Sequence, residues 1–516
     1  MNTIDSNQSP LNAKLLTANG LVDGHVVQRN QPVVVPVILN EPILFITTAG
    51  GAPILDRENY VTCTYKIVNE QGFGATLFEQ PGRIRGRGNS TWSMPKKPYK
   101  IKLDNSVGIL GMPASKDFAL LANYIDPVKI RNSLASEVSN RTGLPWAPRN
   151  QSVEVYLNGD YKGLYLLTES VEVEASRVNI AKIKATDVSG LAITGGYVLE
   201  VDTRLEENNE IGWRTRLNVP IIFDIPDGDV TPQFNYAKNF TQQCEDALFA
   251  EDFTNGAYTN LMDVNSWADW YLVSELLANN DSGFGASVKM YKPRDTATTI
   301  GKLHLGPIWD FDASVGVTFF IEHPTNRWWT RVGASWIARM LEDPAFKALV
   351  VSRWASLRLK LLDQSNSIYD WIANMQESLS GAVRRDSEIW SNGYAPNVTA
   401  WLQDRIAWMD GEFTNGYADT TPLVSPVGFD TTNITATSVS FSWSDIGAAS
   451  GAGVVGYRIR CNGSIAAITN YPYSTPINVA IVSGLMTGTT YSFTIESRDG
   501  TGNWSVASAP LVVTTA

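Results

Sequence analysis

The stretch RIRGRGNSTWSMPKKPYKIK, residues 83–102, is the most informative part of this sequence. It holds seven basic residues and no Asp or Glu, whereas the 516-residue chain has a formal net charge of −11. A cationic segment on an acidic background suits a concentrated anion such as a polyphosphate. Gly86 and Gly88 allow the backbone to approach such a ligand closely. The stretch therefore predicts an anion-binding segment.

Four further segments follow this stretch in a fixed order. They are LANYID and IRNSL within 121–134, VYLNGDYKGLYLLTE at 155–169, GGYVLE at 195–200, and NND with WDFD within 279–312. Together the five segments resemble the spore-coat protein H (CotH) kinase family of atypical protein kinases, from about residue 80 to residue 316. The resemblance implies a two-lobed, kinase-like α+β domain that uses ATP with Mg²⁺ or Mn²⁺.

Composition narrows the classes of function. Hydrophobic residues make up 44% of the chain, and its length suffices for two to four domains with ample cores. The acidic balance argues against non-specific nucleic-acid binding, which needs dense positive charge. No stretch reaches the roughly 18 apolar residues of a membrane span. The N-terminus lacks the basic start and apolar core of a secretory signal. We therefore expect no nucleic-acid partner, no membrane span and no signal peptide.

The sequence pattern divides the chain into three parts. Residues 1–42 have polar ends and a Val-Pro-rich middle, which indicates either an attachment arm or a disordered tail. Residues 43–420 are predicted to form the kinase-like domain, sheet-rich to about residue 240 and helical beyond it. Residues 424–516 are rich in Thr, Ser, Val and Gly and resemble a fibronectin type III sandwich, an all-β module whose Trp and Tyr residues form the core and a corner.

Local signals predict individual elements within these parts. Asn158 and Gly159 between two apolar runs are typical of a β-hairpin. Asp263 can cap a helix with an apolar stripe that includes Trp267 and Trp270. Further helices are predicted over residues 130–142, 335–362, 368–389 and 398–413.

Asp281 is the candidate catalytic residue. Phosphoryl transfer needs cations on the phosphates, a carboxylate that orients the attacking hydroxyl, and carboxylates that hold metal. Asp281 follows a predicted helix and precedes a glycine-bearing turn, and the family resemblance assigns it the catalytic role. The alternative is a turn aspartate that caps the next segment. With only three histidines in the chain, carboxylates and cations are expected to carry any chemistry.

Asp310, Asp312 and Ser287 are the candidate metal ligands. Two aspartates two residues apart on an extended segment point the same way and suit a shared divalent ion. The resemblance assigns Asp310 as the metal aspartate, and a solvated strand end is the alternative. Kinases of this type place an Asn shortly after the catalytic Asp, but Ser287 stands there with one residue inserted. A serine hydroxyl is a poorer ligand, which predicts weakened activity, altered metal geometry or a pseudokinase.

Four residues are candidates for contacts to ATP. Arg87 offers a planar fork and Lys97 a point charge for phosphate oxygens. Glu169 is predicted to pair with a lysine or to coordinate metal, with an ordinary surface glutamate as the alternative. Arg131 opens a predicted helix, where a structural salt bridge competes with ligand contact.

Two main functions remain open. The first is an ATP-dependent protein kinase that phosphorylates Ser or Thr of a structural partner or of itself. The second is a non-catalytic surface or virion decoration protein, attached through residues 1–42 or the C-terminal module. This second hypothesis favours a phage particle or cell-surface assembly over the free cytoplasm. A third hypothesis, a carbohydrate-binding surface protein, rests only on the many tryptophans, which are more often core residues.

Overall fold

A computed structural model describes most of the chain. The described residues are 15–17, 20–22, 41–68, 79–207, 209–226, 230–253, 256–317, 323–390, 397–414, 423–444, 454–470, 478–500 and 502–516. Most of the predicted arm, including its Val-Pro-rich middle at 32–37, lies outside them. Two short strands of the arm, Leu15–Thr17 and Gly20–Val22, pair with each other.

The helices and strands follow one another in a mixed order. The strands are β1 Leu15–Thr17, β2 Gly20–Val22, β3 Ile43–Thr48, β4 Val61–Val68, β5 Gln80–Gly86, β6 Tyr99–Ile109, β7 Met112–Leu121, β8 Asn150–Leu157, β9 Asp160–Glu169, β10 Tyr197–Val201, β11 Gly212–Arg214, β12 Pro220–Ile225, β13 Val288–Lys292, β14 His304–Leu305, β15 Val427–Ile434, β16 Ser438–Ser444, β17 Val454–Cys461, β18 Ser464–Asn470, β19 Val479–Ser483, β20 Thr490–Asp499 and β21 Leu511–Thr514. The α-helices are α1 Ser90–Ser93, α2 Arg131–Asn140, α3 Thr231–Leu248, α4 Ala257–Leu261, α5 Val264–Leu276, α6 Thr330–Gly333, α7 Ser335–Met340, α8 Pro344–Leu361, α9 Ile368–Ile389 and α10 Val398–Thr414.

The first of two compact units is built around a closed β-barrel. It takes its described residues from 1–130, 148–170 and 370–395. The barrel order is β3-β4-β5-β6-β7-β9-β8, and a parallel pairing of β3 with β8 closes it. Residues alternate along β5 and β6, so that Ile84 and Ile101 are buried in the core while Arg83 and Lys102 face outward. The hairpin predicted at Asn158 and Gly159 is confirmed as the β8–β9 turn.

A buried ion cluster joins α9 to the barrel within this unit. The Asp386 side chain is fully buried, and its Oδ1 lies 2.5 Å from Lys96 Nζ. Its Oδ2 lies 3.1 Å from Lys129 Nζ. The backbone N of Leu164 on β9 donates to Asp386 Oδ1 at 2.9 Å. One carboxylate therefore holds two lysines and a barrel strand, which is how a buried charge is kept in a dry interior.

The second unit contains a five-stranded sheet and most of the helices. Its described residues come from 131–147, 171–369 and 396–516. The sheet order is β11-β12-β10-β13-β14. Because β10 pairs with both β12 and β13, strands from before and after residue 240 form one sheet. The division expected near residue 240 thus separates strands that the structure joins.

Local helix signals were mostly correct in this unit. Asp263 accepts a hydrogen bond from the backbone N of Ser266 and caps α5, as predicted. The single helix predicted over 335–362 is wrong, because it divides into α7 and α8. Asp343 caps the second of these, and Pro344 takes its first position, where a missing N–H does no harm. Among helices of the described residues, none combines the length and apolar character that a membrane crossing needs.

The C-terminal strands form the predicted sandwich. One sheet has the order β15-β16-β19 and the other β18-β17-β20-β21. Trp443 and Tyr457 pack edge to face with ring centroids 5.0 Å apart, and both are buried in the core between the sheets. The backbone N of Met486 donates to the hydroxyl of Tyr491 at 2.9 Å, which forms the expected tyrosine corner. These aromatic residues are structural, as predicted.

Candidate functional site

Asp281 lies on a loop directly after α5. The helix ends at Leu276, and Ala278 with φ +50° turns the chain into the loop. The backbone N of Asp281 donates to Asn279 Oδ1 at 3.2 Å. The backbone O of Asp281 accepts from the N of Gly285 at 2.9 Å, so the loop closes on itself. This arrangement leaves the Asp281 side chain partly exposed on a fixed backbone.

Asn279 links the two candidate aspartates. Its Oδ1 accepts from Asp281, and its Nδ2 donates to the backbone O of Asp310 at 3.3 Å. The backbone N of Asn280 also donates to the O of Ala313 at 3.2 Å. The 278–287 loop and the 309–315 segment are therefore tied side by side. The buried amide of Asn279 is thus a direct link between the backbones of Asp281 and Asp310.

The electrostatics of this pair are unfavourable in the free protein. Burial among protein atoms raises the pKa of Asp281 to about 7, and the charge of Asp310 adds to the rise. Asp202 and Glu200 act in the same direction, whereas Arg204 opposes them. Like charges gathered at one point are costly unless a cation or a proton joins them. The arrangement therefore suits a positively charged ligand such as a metal ion.

Arg204 is the basic side chain that faces the aspartate pair. Its Nε and Nη2 lie 3.1 and 3.2 Å from the two carboxylate oxygens of Asp202. The pKa of Arg204 is raised, because the hydrogen bonds and charge of Asp202, with Asp281 and Asp310, outweigh the effect of burial. Thr203 donates from both its N and its hydroxyl to the O of Gly285 at 2.8 Å. The 202–204 turn is thus attached to the loop of Asp281.

Helix α2 holds the segment that carries Asp310. Asn132 Oδ1 accepts from the backbone N of Phe311 at 2.7 Å. Arg131 is fully buried and donates from Nε to the O of Ser314 at 2.8 Å and from Nη2 to the O of Val315 at 2.9 Å. These contacts place Arg131 as a positioning residue for the 310–315 backbone. Its predicted contact to ATP stays a prediction.

Two predicted metal ligands have a different geometry from the one expected. Residues 309–314 are not a strand, and Asp310 has φ +59°, which is left-handed rather than extended. The argument that Asp312 shares a face with Asp310 by strand alternation is therefore wrong, and Asp312 is 9% exposed. Ser287 has φ +58° and lies just before β13, which begins at Val288. Metal binding by Asp312 and Ser287 stays a prediction.

The other candidates belong to the first unit. Glu169 is fully buried and receives both Nε and Nη2 of Arg149, at 2.9 and 2.8 Å. Arg149 is thus a partner of Glu169, and the predicted pairing with a lysine or coordination of metal stays a prediction. Lys97 is partly exposed, and its Nζ donates to the O of Trp92 at 2.6 Å. Arg87 is partly exposed, and its backbone N bonds to the O of Pro98 at 3.2 Å.

Sequence reasoning missed several residues that build the site. Asn279 and Asn132 were quoted within motifs, but neither was named as a site residue. Arg204 and Asp202 lay in no quoted segment, although an Asp and an Arg directly after the GGYVLE strand are a detectable signal. In the part of the chain that the structure describes, no group of three or more His, Cys, Asp or Glu is arranged to hold a metal ion.

The fold and this geometry define a class of protein. It is a mixed helix-and-strand protein with two charge-coupled aspartates on adjacent loops and a β-sandwich at its C-terminal end. The chain belongs to the CotH kinase protein family, whose model matches residues 84–410, more than half of the sequence. The model of the fibronectin type III domain matches residues 424–514. Both resemblances found in the sequence are thereby confirmed.

Similar proteins share only a part of this chain. Chitinase Chi52 of Paenibacillus xylanexedens is 37% identical over 24% of the chain and 22% of its own length. Chitinase D of Niallia circulans is 39% identical over 20% of the chain and 19% of its own length. The chain thus spans about a fifth of the length of these curated relatives. Among solved structures, chitinase ChiA74 from Bacillus thuringiensis is 25% identical over 24% of this chain and 17% of that one, with a TM-score of 0.16.

Proposed function

We propose that this protein is an atypical kinase that transfers the terminal phosphoryl group of ATP to Ser or Thr of a structural partner or of itself. The proposal includes a two-lobed, kinase-like arrangement. It is supported by membership of the CotH kinase protein family. The single observation that carries it is the coupled pair Asp281 and Asp310, fixed by the amide of Asn279.

The donor set suits the divalent ion that such a reaction uses. Carboxylate oxygens are hard ligands, and Mg²⁺ is usually held by one or two carboxylates together with substrate phosphates. Asp310 and Asp281 supply such oxygens, and their mutual repulsion is relieved by a cation. Asp312 and Ser287 would complete the set. Bound Mg²⁺ or Mn²⁺ would neutralise charge on the phosphates and leave their orientation to the protein.

The proposed step needs little covalent chemistry from the side chains. The acceptor hydroxyl oxygen bonds to the γ-phosphorus, and the bond from that phosphorus to the bridging oxygen of ADP breaks. ADP keeps the electron pair of the broken bond, and the hydroxyl proton passes to the Asp281 carboxylate. Arg87 and Lys97 would contact phosphate oxygens of ATP. Arg131 and Glu169 would support that binding from their buried positions.

The test is phosphoryl transfer from labelled ATP with Mg²⁺ or Mn²⁺, together with calorimetric nucleotide binding. We expect Asp281→Asn to lose transfer by roughly a hundredfold or more while it retains nucleotide binding. Asp310→Asn should lose the metal-dependent part of binding as well. Asp160→Asn, at an exposed hairpin tip, is the matched control and should behave as the wild type. Transfer that is unchanged in both site variants would overturn these roles.

A non-catalytic surface or decoration protein is the second candidate. Ser287 supports it, because it stands where the family places an Asn ligand. The fibronectin type III module and the partial similarity to chitinases support a location outside the cell or on a surface. Absence of nucleotide binding with either metal would favour this function over the kinase.

A further inference from the structure

The C-terminal module packs directly against helices of the second unit. Arg498 on β20 is 4% exposed, and its Nη2 donates to the backbone O of Arg331 at 3.0 Å and of Val332 at 3.3 Å. Both carbonyls lie in the last turn of α6, where helix carbonyls lack intrahelical partners. The sandwich therefore supplies a cap to a helix of the CotH domain.

A second set of contacts closes around the same place. Trp504 Nε1 donates to Glu342 Oε1 at 2.9 Å. The Arg458 guanidinium lies 4.0 Å from the centre of the Trp504 ring, a cation–π contact. A Cβ added to Gly502 would lie 2.3 Å from Nη2 of Arg331, so the module fits tightly at that point. Burial lowers the pKa of Arg498 to about 10, with Arg331 adding to the effect. Such a dry contact is more specific than that of a flexible spacer.

The other end of α6 is held by α5. The Glu275 carboxylate accepts from the backbone N of Trp329, Thr330 and Arg331, at 2.5, 3.1 and 3.1 Å. Arg405 on α10 neutralises this buried glutamate at 2.9 Å. Helix α6 is thus fixed at its start by a carboxylate and at its end by Arg498.

Helix α6 in turn touches the loop of Asp281. The hydroxyls of Thr330 and Ser282 lie 2.6 Å apart. A Cβ added to Gly333 would lie 2.6 Å from the backbone O of Gly283, so the two backbones are in close contact. Ser282 and Gly283 follow Asp281 directly. A shift of α6 must therefore move or loosen the loop that carries the candidate catalytic residue.

We propose that the fibronectin type III module is part of the candidate active site, because Arg498 fixes α6 and α6 fixes the loop of Asp281. Arg498 is a positioning residue in this scheme. Its role in catalysis rests on the proposed kinase function, whereas its role in ordering the loop does not. The module then acts as an internal brace rather than as a spacer alone.

The test is hydrogen exchange of the full chain, followed in peptides that cover 281–287 and 330–334. Arg498→Ala should speed exchange in both about tenfold, as expected for the loss of a charged hydrogen bond. The matched control is Arg460→Ala, because Arg460 bonds to Glu496 and to the O of Gly463, and both contacts stay within the module. The control should change exchange by less than about twofold. Arg498→Lys should restore part of the protection.

Further readouts separate this role from general destabilisation. Peptides from β16 and β19, in the other sheet of the module, should be unchanged in Arg498→Ala, and their faster exchange would overturn the proposal. So would unchanged exchange at 281–287. If Arg498→Ala does not fold, the milder Trp504→Phe, which removes the bond to Glu342 and weakens the cation–π contact with Arg458, should give the same pattern with smaller changes. If the chain transfers phosphoryl groups, Arg498→Ala should lower kcat and leave KM for ATP unchanged. If the chain does not transfer phosphoryl groups, the exchange data still test whether Arg498 orders the loop of Asp281.

Discussion

Asp386 in the first unit and Asp281 in the second are two carboxylates in opposite surroundings. Asp386 is fully buried, and its two carboxylate oxygens pair with Lys96 and Lys129. Asp281 is partly exposed beside Asp310 and has its pKa raised to about 7. Compensated charge fixes a structure, whereas like charges held together lower stability until a ligand binds. The comparison separates a carboxylate with compensated charge from one whose charge is opposed by its neighbours.

The largest loss of stability is expected when the counter-ion of the two buried lysines is removed. Asp386→Ala leaves Lys96 and Lys129 buried without their counter-ion, and takes an acceptor from Leu164. Breaking a buried pair in this way costs about 3–5 kcal/mol. Urea unfolding, with exchange of β9 peptides as the local probe, measures the change. Asp160→Ala, which is exposed, should stay within about 0.5 kcal/mol. Equal effects of the two variants would remove Asp386 from its structural role.

At Asp281, removal of the carboxylate is expected to raise stability at high pH rather than lower it. Since the pKa of Asp281 is about 7 in the folded protein and about 3.8 for an ordinary aspartate, the folded state binds an extra proton between these pH values. Stability from this group is full below about pH 4 and is lost as the pH rises to about 7. Asp281→Asn should lack this slope and should be more stable at pH 8, by roughly 1–2 kcal/mol after solvent screening.

Unfolding of both proteins at pH 5 and pH 8, without metal, measures this difference. Asp310 and Asp202 contribute charge of the same sign, and Arg204 opposes them. Asp160→Asn, which changes an exposed carboxylate, serves as the control. A loss of stability in Asp281→Asn at pH 8 would place Asp281 with the structural carboxylates.

A smaller loss of stability is expected when the amide of Asn279, which hydrogen-bonds to Asp281 and Asp310, is removed. Asn279→Ala removes the acceptor of Asp281 N and the donor to Asp310 O. Two longer hydrogen bonds of this kind contribute about 1 kcal/mol in total. Exchange of peptides that contain 281–287 and 309–315 should rise while the barrel strands stay protected. Asn280→Ala is a neighbouring control with a smaller expected rise, because its bond to Ala313 uses the backbone.

Sequence reasoning succeeded where the cause is local. The Asn158-Gly159 turn and the Asp263 cap need only neighbouring residues, and both are confirmed. The left-handed conformation of Asp310 has no local signal, since α2 and Asn279 impose it through distant hydrogen bonds. Arg131 likewise bonds to a carbonyl 183 positions away. The motifs identified the family correctly, but tertiary contacts determine which residues of each motif are buried and which are exposed.

Lys96 and Lys97 show the same limit most directly. They are adjacent and chemically identical. Sequence analysis predicted a phosphate contact for Lys97 and assigned no role to Lys96. The structure buries Lys96 completely, because its partner Asp386 lies 290 positions further along the chain. Burial lowers the pKa of Lys96 to about 7, with Lys129 adding to it and Asp386 opposing it. A partner at that separation cannot be found from spacing.

The smallest change in stability is therefore expected at Lys97. Its Nζ donates to the carbonyl of Trp92 and lies 5.3 Å from the centre of the Trp92 ring, in a partly exposed position. Lys97→Ala should alter the free energy of unfolding by less than about 0.5–1 kcal/mol, whereas nucleotide affinity should fall about tenfold if Lys97 contacts phosphate. Lys116→Ala, also exposed and bonded to one carbonyl, matches it in stability but should leave nucleotide binding intact. A loss of stability in Lys97→Ala as large as that in Asp386→Ala would mean that Lys96 and Lys97 are both structural. The basic residues of the 83–102 stretch would then stabilise the barrel rather than bind a ligand.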